Sequence, residues 1–344
     1  MSSLQLGLLV AGGVTLLAVI LYNQWVSRRN APRQAQTLEP SAAGDSTAEE
    51  ASDAQAITAA DELQNLTQPE RKPVLDGLID VISTIDVDQP VSGDAALAAL
   101  PSTRRVGTKP FHVEGCSEIT GEWEPLLPGR RYSAFQAGVQ LANRMGPLNE
   151  IEFSEFLVKT HGFADAVGGT PSVADMLEEV ARARELDQFA SAHDAQLSFT
   201  LVARAAAWSP GFVHQHAARL GFVAGVIPGR MVLPAGTQGL PPILSLTFDT
   251  QAALADDPTL SAVRECTLSL DVPQVPRSDA PFERLRQAAQ LLAEQMDGVI
   301  TDGSGQALGP QVMQQIGQDL EQLYDALDSR DLAAGSIQAR RLFS

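Results

Sequence analysis

Five histidines, His112, His161, His193, His214 and His216, are the side chains best suited to metal binding or proton transfer near neutral pH. Only His214 and His216 lie close together, in "HQH" within a stretch that reads as helix, and positions two apart do not share a helix face. They read as surface helix positions rather than a metal pair. The acidic pairs Glu178 with Glu179 and Asp256 with Asp257 fall in helix or loop contexts, with nothing nearby implying the burial that tunes a general acid or base. No nucleophile elbow GxSxG, HExxH, Walker loop or GxGxxG occurs, and glycine pairs such as "VGGTP" read as turns. Cys116 and Cys266 lack metal-type spacing; a reduced compartment suits them, and a disulfide stays open. These residues point to no catalytic constellation, no metal and no cofactor. Trp123 in "GEWEPL" and Trp208 before "SPGF" are candidate partner anchors, with burial in a core as the competing role.

The elements around these residues suit an α+β chain. With 344 residues the length allows two folded units plus appendages. Over 73–194, "LIDVISTID", "KPFHVEG" and "YSAFQAGVQLANR" read as strands and "GDAALAAL" as a helical turn or two. Two longer helices follow, with Ser154 and Ser172 as expected N-caps. A similar order recurs over 195–330. "AQLSFTLVARA", "GRMVLP", "PILSLTFDT", "RECTLSLDV" and "GVITD" read as strands. Helices are expected from Ser209–Pro210, from Pro281 and over "GPQVMQQIGQDLEQLYDAL", leaving 331–344 as a C-terminal tail. The pattern is the split β-α-β type, an antiparallel sheet with helices on one face, and its recurrence suggests a divergent duplication.

Alternation in the second unit puts Leu197, Phe199 and Leu201, Leu244, Leu246 and Phe248, and Leu268, Leu270 and Val272 on one face. That face matches the stripe Leu285, Ala288, Ala289, Leu292 and Met296. The opposite face is expected to show Ser198, Thr200, Val202, Ser245, Thr247, Asp249, Thr267, Ser269 and Asp271, as a solvated sheet face or a docking surface.

The N-terminus is different in kind. Residues 4–22 carry no charge and approach the length a bilayer core requires, with Leu4, Leu8, Leu9, Val10, Leu16, Leu17, Val19, Ile20, Leu21 and Tyr22 as the apolar wall. Trp25 sits at interface level, and Arg28, Arg29 and Arg33 follow, whereas "MSSLQ" has no basic residue. A signal peptide would show a basic start and an A-x-A-like site, so residues 1–27 are expected to be an uncleaved transmembrane anchor with its N-terminus outside. Residues 28–72, rich in Ala, Gln, Ser, Thr and acid, are expected to be a disordered linker with a reach on the order of 35 Å. The formal net charge of -18 repels phosphate backbones and argues against nucleic-acid partners.

An outside terminus, one span, inner basic residues, a low-complexity linker and "PFERLRQAAQLLAEQMDGVITDGSGQALGPQVM" together resemble the ZipA family of bacterial cell-division proteins. Leu285, Gln287, Ala289, Gln290, Ala293, Gly298, Val299 and Asp302 stand at the places of that family's helix-and-turn pattern, and "GPQ" at 309–311 stands for its "TPQ". The resemblance implies binding of the C-terminal tail peptide of FtsZ on the open sheet face, anchorage of FtsZ to the inner membrane at the septum, and stabilisation of the Z ring. It carries over to Thr200, Val202, Thr247, Asp249, Gln251, Thr267 and Ser269 as partner-binding positions. The family places larger apolar or basic residues at several of these and an aromatic where Ser269 stands. Residues 73–194 have no clear counterpart in it. A scaffold that binds another divisome protein by strand addition, and a membrane-anchored enzyme, are the competing readings.

Overall fold

A computed structural model describes residues 33–34, 75–237, 239–255 and 261–344. The expected span, residues 4–22, lies outside these, as does the linker apart from residues 33 and 34. No helix among the described residues is long and apolar enough to cross a membrane. The chain forms two compact units. Of the described residues, 75–194 and 337–344 make the first, and 33–34 and 195–336 make the second.

The first unit runs β1 (Asp80–Ser92), α1 (Gly93–Ala99), β2 (Arg105–Val106), β3 (Lys109–Ser117), β4 (Trp123–Pro125) and β5 (Arg131–Gln140). A short hairpin of β6 (Ala142–Asn143) and β7 (Gly146–Pro147) leads into α2 (Glu150–Val167), β8 (Gly169–Pro171) and α3 (Met176–His193). The antiparallel sheet has the order β2-β3-β5-β1-β8, with β4 beside β3. Alternation sends Val81 and Ile85, Phe135 and Val139, and Phe111 inward, where all are buried. There Phe111 meets Phe156 and Phe135 meets Phe163 edge to face, with ring centroids 6.1 and 5.3 Å apart.

Both expected N-caps are displaced. Helix α2 begins at Asn149, whose side chain accepts from the Ile151 and Glu152 N–H groups while Glu152 reaches back to the Asn149 N–H, a reciprocal capping box. Glu152 also lies 3.3 Å from the buried Lys109 ammonium, so the helix start is tied to β3. Ser154 sits inside the helix and donates to the Glu150 carbonyl at 2.8 Å. Helix α3 is capped by Asp175, three residues after Ser172.

The last residues complete the first unit. Helix α8 (Ile337–Leu342, numbered after the helices below) is no loose tail: Leu342 and Phe343 are buried, and Arg341 clasps the buried Asp80 carboxylate at 2.6 and 2.8 Å. Gln140 donates to the Arg341 carbonyl at 2.8 Å. On the outer face of the same sheet, Leu75 fills the hollow left by Gly138, where an added Cβ would come within 2.5 Å of its side chain. The Leu75 N–H donates to Glu114, which also takes the Gln136 amide at 2.8 Å.

His112 lies on this outer face, opposite Gly138. Burial pushes its pKa below 6.5, and the Arg341 and Arg104 charges push the same way against Asp80 and Glu114. A folded-state pKa below the unfolded one means its contribution is complete above about pH 6.5 and is lost as pH falls toward the folded value. Urea midpoints of the first unit are therefore expected to drop more between pH 7 and 5 in the wild type than in His112→Gln.

The second unit runs β9 (Gln196–Ala203), α4 (Pro210–Arg219), β10 (Val223–Ala224), β11 (Arg230–Leu233), β12 (Leu244–Phe248), α5 (Thr250–Leu254) and β13 (Glu265–Asp271). After two 3-10 turns come α6 (Pro281–Met296), β14 (Gly298–Thr301) and α7 (Pro310–Asp328). Ser209 caps α4 by accepting the Phe212 N–H, with Pro210 in the first turn, as the sequence predicts. The antiparallel sheet order is β10-β11-β12-β13-β9-β14. Leu285, Ala289, Leu292 and Met296 of α6 are wholly buried, as are Leu201, Leu246 and Leu268 of the sheet. Burying each such leucine or methionine contributes about 1.5–3 kcal/mol.

The two sheets share a connectivity. In the first, β1 lies between β5, which precedes the long helix α2, and β8, which follows it; in the second, β9 lies between β13 and β14, which flank α6. Both are mixed α+β units built on antiparallel strands.

Candidate functional site

Strand alternation builds a polar face on the second sheet, opposite the face that buries Leu201, Leu246 and Leu268. Register places Val232, Ser245, Ser269 and Ser198 in one row across four strands. The next row holds Arg230, Thr247, Thr267, Thr200 and Thr301. Glu265, Val202 and Val299 make a third.

The hydroxyls in the middle are largely spent on one another. The Ser198 and Ser269 oxygens lie 3.2 Å apart, those of Thr200 and Thr267 3.5 Å, and Thr301 donates to the Thr200 carbonyl at 3.1 Å. Valines flank the hydroxyl rows, with Val202 and Val299 half-buried at one end and Val223 exposed at the other. The Nε of Arg230 is buried without a hydrogen-bond partner. Such a donor costs free energy until an acceptor reaches it, and it is suited to a carboxylate or peptide carbonyl.

Five expected partner-binding residues, Thr200, Val202, Thr247, Thr267 and Ser269, share this face. Two do not lie on a strand. β12 stops at Phe248 because Asp249 turns its carboxylate onto the Gln251 N–H at 2.8 Å and caps α5, which places Gln251 in that short helix. Asp249 nevertheless joins Thr247, Thr267, Val263, Arg264 and Glu265 around a cavity of about 470 Å³ at one end of the face. Arg230, Val232, Val223 and Val299 were missed as site residues. "GRMVLP" reads as a strand, so its alternation about the buried Met231 was the available signal for Arg230 and Val232.

A larger cavity, about 760 Å³, lies away from this face between α6 and α7, with Phe282, Met313, Leu320 and Tyr324 among its walls. Burial pushes the Tyr324 hydroxyl up to about 12. Size alone does not make it the site, because the aligned rows lie elsewhere.

The other chemically suggestive residues take structural places. His216 is buried rather than at the surface, with Nδ1 3.0 Å from the Gln295 side-chain oxygen and its ring against Phe212. Burial lowers the His214 pKa. Glu179 is more buried than its sequence suggests, which raises its carboxyl pKa, and it lies 3.1 Å from Arg182. Asp256 and Asp257 lie outside the described residues. Among the described residues no group of three His, Cys, Asp or Glu side chains is placed to hold a metal ion, and both cysteines are free. Trp208 is core, fully buried with Nε1–H donating to the Met296 carbonyl at 2.8 Å, whereas Trp123 on β4 is half-buried.

An antiparallel sheet with a helix packed on one face and a hydroxyl-and-valine face left open on the other defines an α+β unit with one free sheet face. Residues 256–319 match the family model described as ZipA, C-terminal FtsZ-binding domain, so the chain carries a ZipA-type segment there. That segment takes in β13, α6, β14 and the first half of α7. None of the curated proteins matches the chain. Among solved structures, one titled "Structure of FgChi7B" aligns at 12% identity with a TM-score of 0.20, covering 76% of this chain and 56% of that one.

Proposed function

We propose that this protein is a non-enzymatic adaptor of bacterial cell division that binds the C-terminal tail of FtsZ on the hydroxyl-and-valine face of its second unit. The observation that carries the reading is where the family match falls: it includes β13, whose Thr267 and Ser269 stand at the centre of that face. The cationic Arg230, opposite Thr247 on the same face, supports a peptide bearing a carboxylate. Residues 4–22, with Arg28, Arg29 and Arg33 on one side only, support a single inner-membrane span with the two units in the cytoplasm. Such a protein ties FtsZ polymers to the membrane at the septum and steadies the Z ring. The shared strand order supports a divergent duplication in which the first unit arose from the same split β-α-β plan.

Titrating a fluorescent FtsZ tail peptide with the full-length chain in detergent tests the binding. Saturable anisotropy is expected. Ser269→Arg, which lays a long charged side chain over Ser198 and Ser245, is expected to weaken binding by about tenfold or more, equivalent to about 1.4 kcal/mol. Its melting temperature should stay close to wild type because Ser269 is half-exposed. Tight binding that Ser269→Arg leaves untouched would move the site off this face, the β10 edge being the next surface to test by strand addition.

A further inference from the structure

Arg33 follows the last residue of the proposed span by eleven positions, and the structure seats it on the second unit. Its backbone N–H donates to the Ala207 carbonyl at 2.7 Å, and Ser209 N–H donates to the Arg33 carbonyl at 2.8 Å, a parallel bridge alongside Trp208. Trp208 pairs on its other side with Val263, through N–H groups that donate both ways at 2.8 Å. Arg33 is thus the third member of a small ribbon.

Its side chain reaches further. Nη1 donates to the Met296 carbonyl at 3.1 Å and Nη2 lies 2.8 Å from the Asp297 carboxylate. Met296 ends α6, so the guanidinium meets a carbonyl of the helix's last turn and the negative end of the helix dipole. The Met296 carbonyl also takes the Trp208 indole N–H, which joins backbone, guanidinium and core at one oxygen.

We propose that residues 33 and 34 are a strap that fastens the FtsZ-binding unit directly to the foot of the membrane anchor. The proposal rests on the reading of residues 4–22 as a span and changes what the linker does. Eleven positions of chain extend at most about 40 Å, so the strap keeps this unit near any span that ends at Tyr22. The segment between residue 34 and Leu75 then connects the second unit to the first instead of suspending both. The strap docks at the Ala203 and Gly298 end of the β9–β14 ladder, beside the Val202 and Val299 row. It therefore also restrains which edge of the binding face turns toward the lipid.

Hydrogen exchange on the full-length chain in lipid nanodiscs tests the strap without reference to FtsZ. The Arg33 and Ser209 amides are expected to be protected in the wild type. In Arg33→Ala and in Asp297→Asn they should exchange on the order of tenfold faster. Asparagine tolerates the positive φ of 55° at Asp297, so that variant keeps the α6 terminus. A second reading uses energy transfer from a labelled FtsZ tail peptide to an acceptor lipid in the same nanodiscs, where Arg33→Glu should lower the efficiency at saturating peptide. Wild-type amides as fast as those of Arg33→Ala overturn the strap, as does a chain that does not enter the bilayer. Absence of peptide binding with protected amides overturns the FtsZ reading and leaves the strap standing.

Discussion

Arg341→Ala is expected to destabilise the first unit by about 3–5 kcal/mol, because it strands a carboxylate that has no access to water. The Asp80 side chain is 0% exposed and receives both guanidinium nitrogens of Arg341, whose own side chain is 15% exposed. The remaining bond to Asp80 comes from the Asp76 N–H at 2.9 Å, which does not neutralise the charge. The cost should therefore come mostly from the unpaired ion rather than from lost packing. Asp80→Asn combined with Arg341→Ala separates the two contributions: it is expected to recover much of the loss, since a neutral amide costs far less to bury than an anion. Urea unfolding, followed by exchange of the β1 and β5 amides, measures both variants. Equal loss in the single and double variants would assign the effect to packing of α8.

Trp208→Ala is expected to cost the second unit about 3–5 kcal/mol, the range for emptying a core site of an indole. Trp208 is fully buried, and its ring lies 3.4 Å from where a Cβ on Gly298 would stand. Trp208→Phe keeps part of the volume and removes the N–H, leaving the Met296 carbonyl with Arg33; it should cost less than the alanine variant. Thermal unfolding read from second-unit amides distinguishes the pair. Because Trp208 stands between Ala207 and Ser209, whose backbone groups bond Arg33, the alanine variant is expected to loosen that contact before the unit unfolds, whereas a change confined to the core would leave it intact.

Local rules made the second unit readable. The stripe from Leu285 to Met296 recurs at helical spacing, strands β9, β12 and β13 alternate cleanly, and Ser209–Pro210 is a compact start signal, so core and open face both followed from spacing alone. Where two local signals competed, the bonding partner decided. Ser154 is an acceptable cap, but Asn149 has a glutamate three residues on and wins through reciprocal bonds. Gln251 lies four residues beyond Thr247, on the same side of an extended strand, but Asp249 between them captures the Gln251 N–H and ends the strand. Contacts between remote residues left no local trace. Nothing in "SIQARRLFS" announces Asp80, and nothing around Arg33 announces Trp208, because each pairing depends on a fold that closes over long stretches of chain.

The clasp between Arg341 and Asp80 joins residues 261 positions apart, so the first unit to leave the ribosome is the last to be finished. At about 5–20 residues per second, β1 waits roughly 13–50 s for the helix that neutralises it, while the whole second unit emerges in between. During that interval the outer end of the first sheet lacks α8, and any chain cut before residue 337 keeps that end open. A stop or a cut just before residue 337 thus leaves the second unit complete and the first unit not. Such a chain is expected to be marked for proteolysis by its unfinished half, which makes residues 337–344 a check that the first unit has closed.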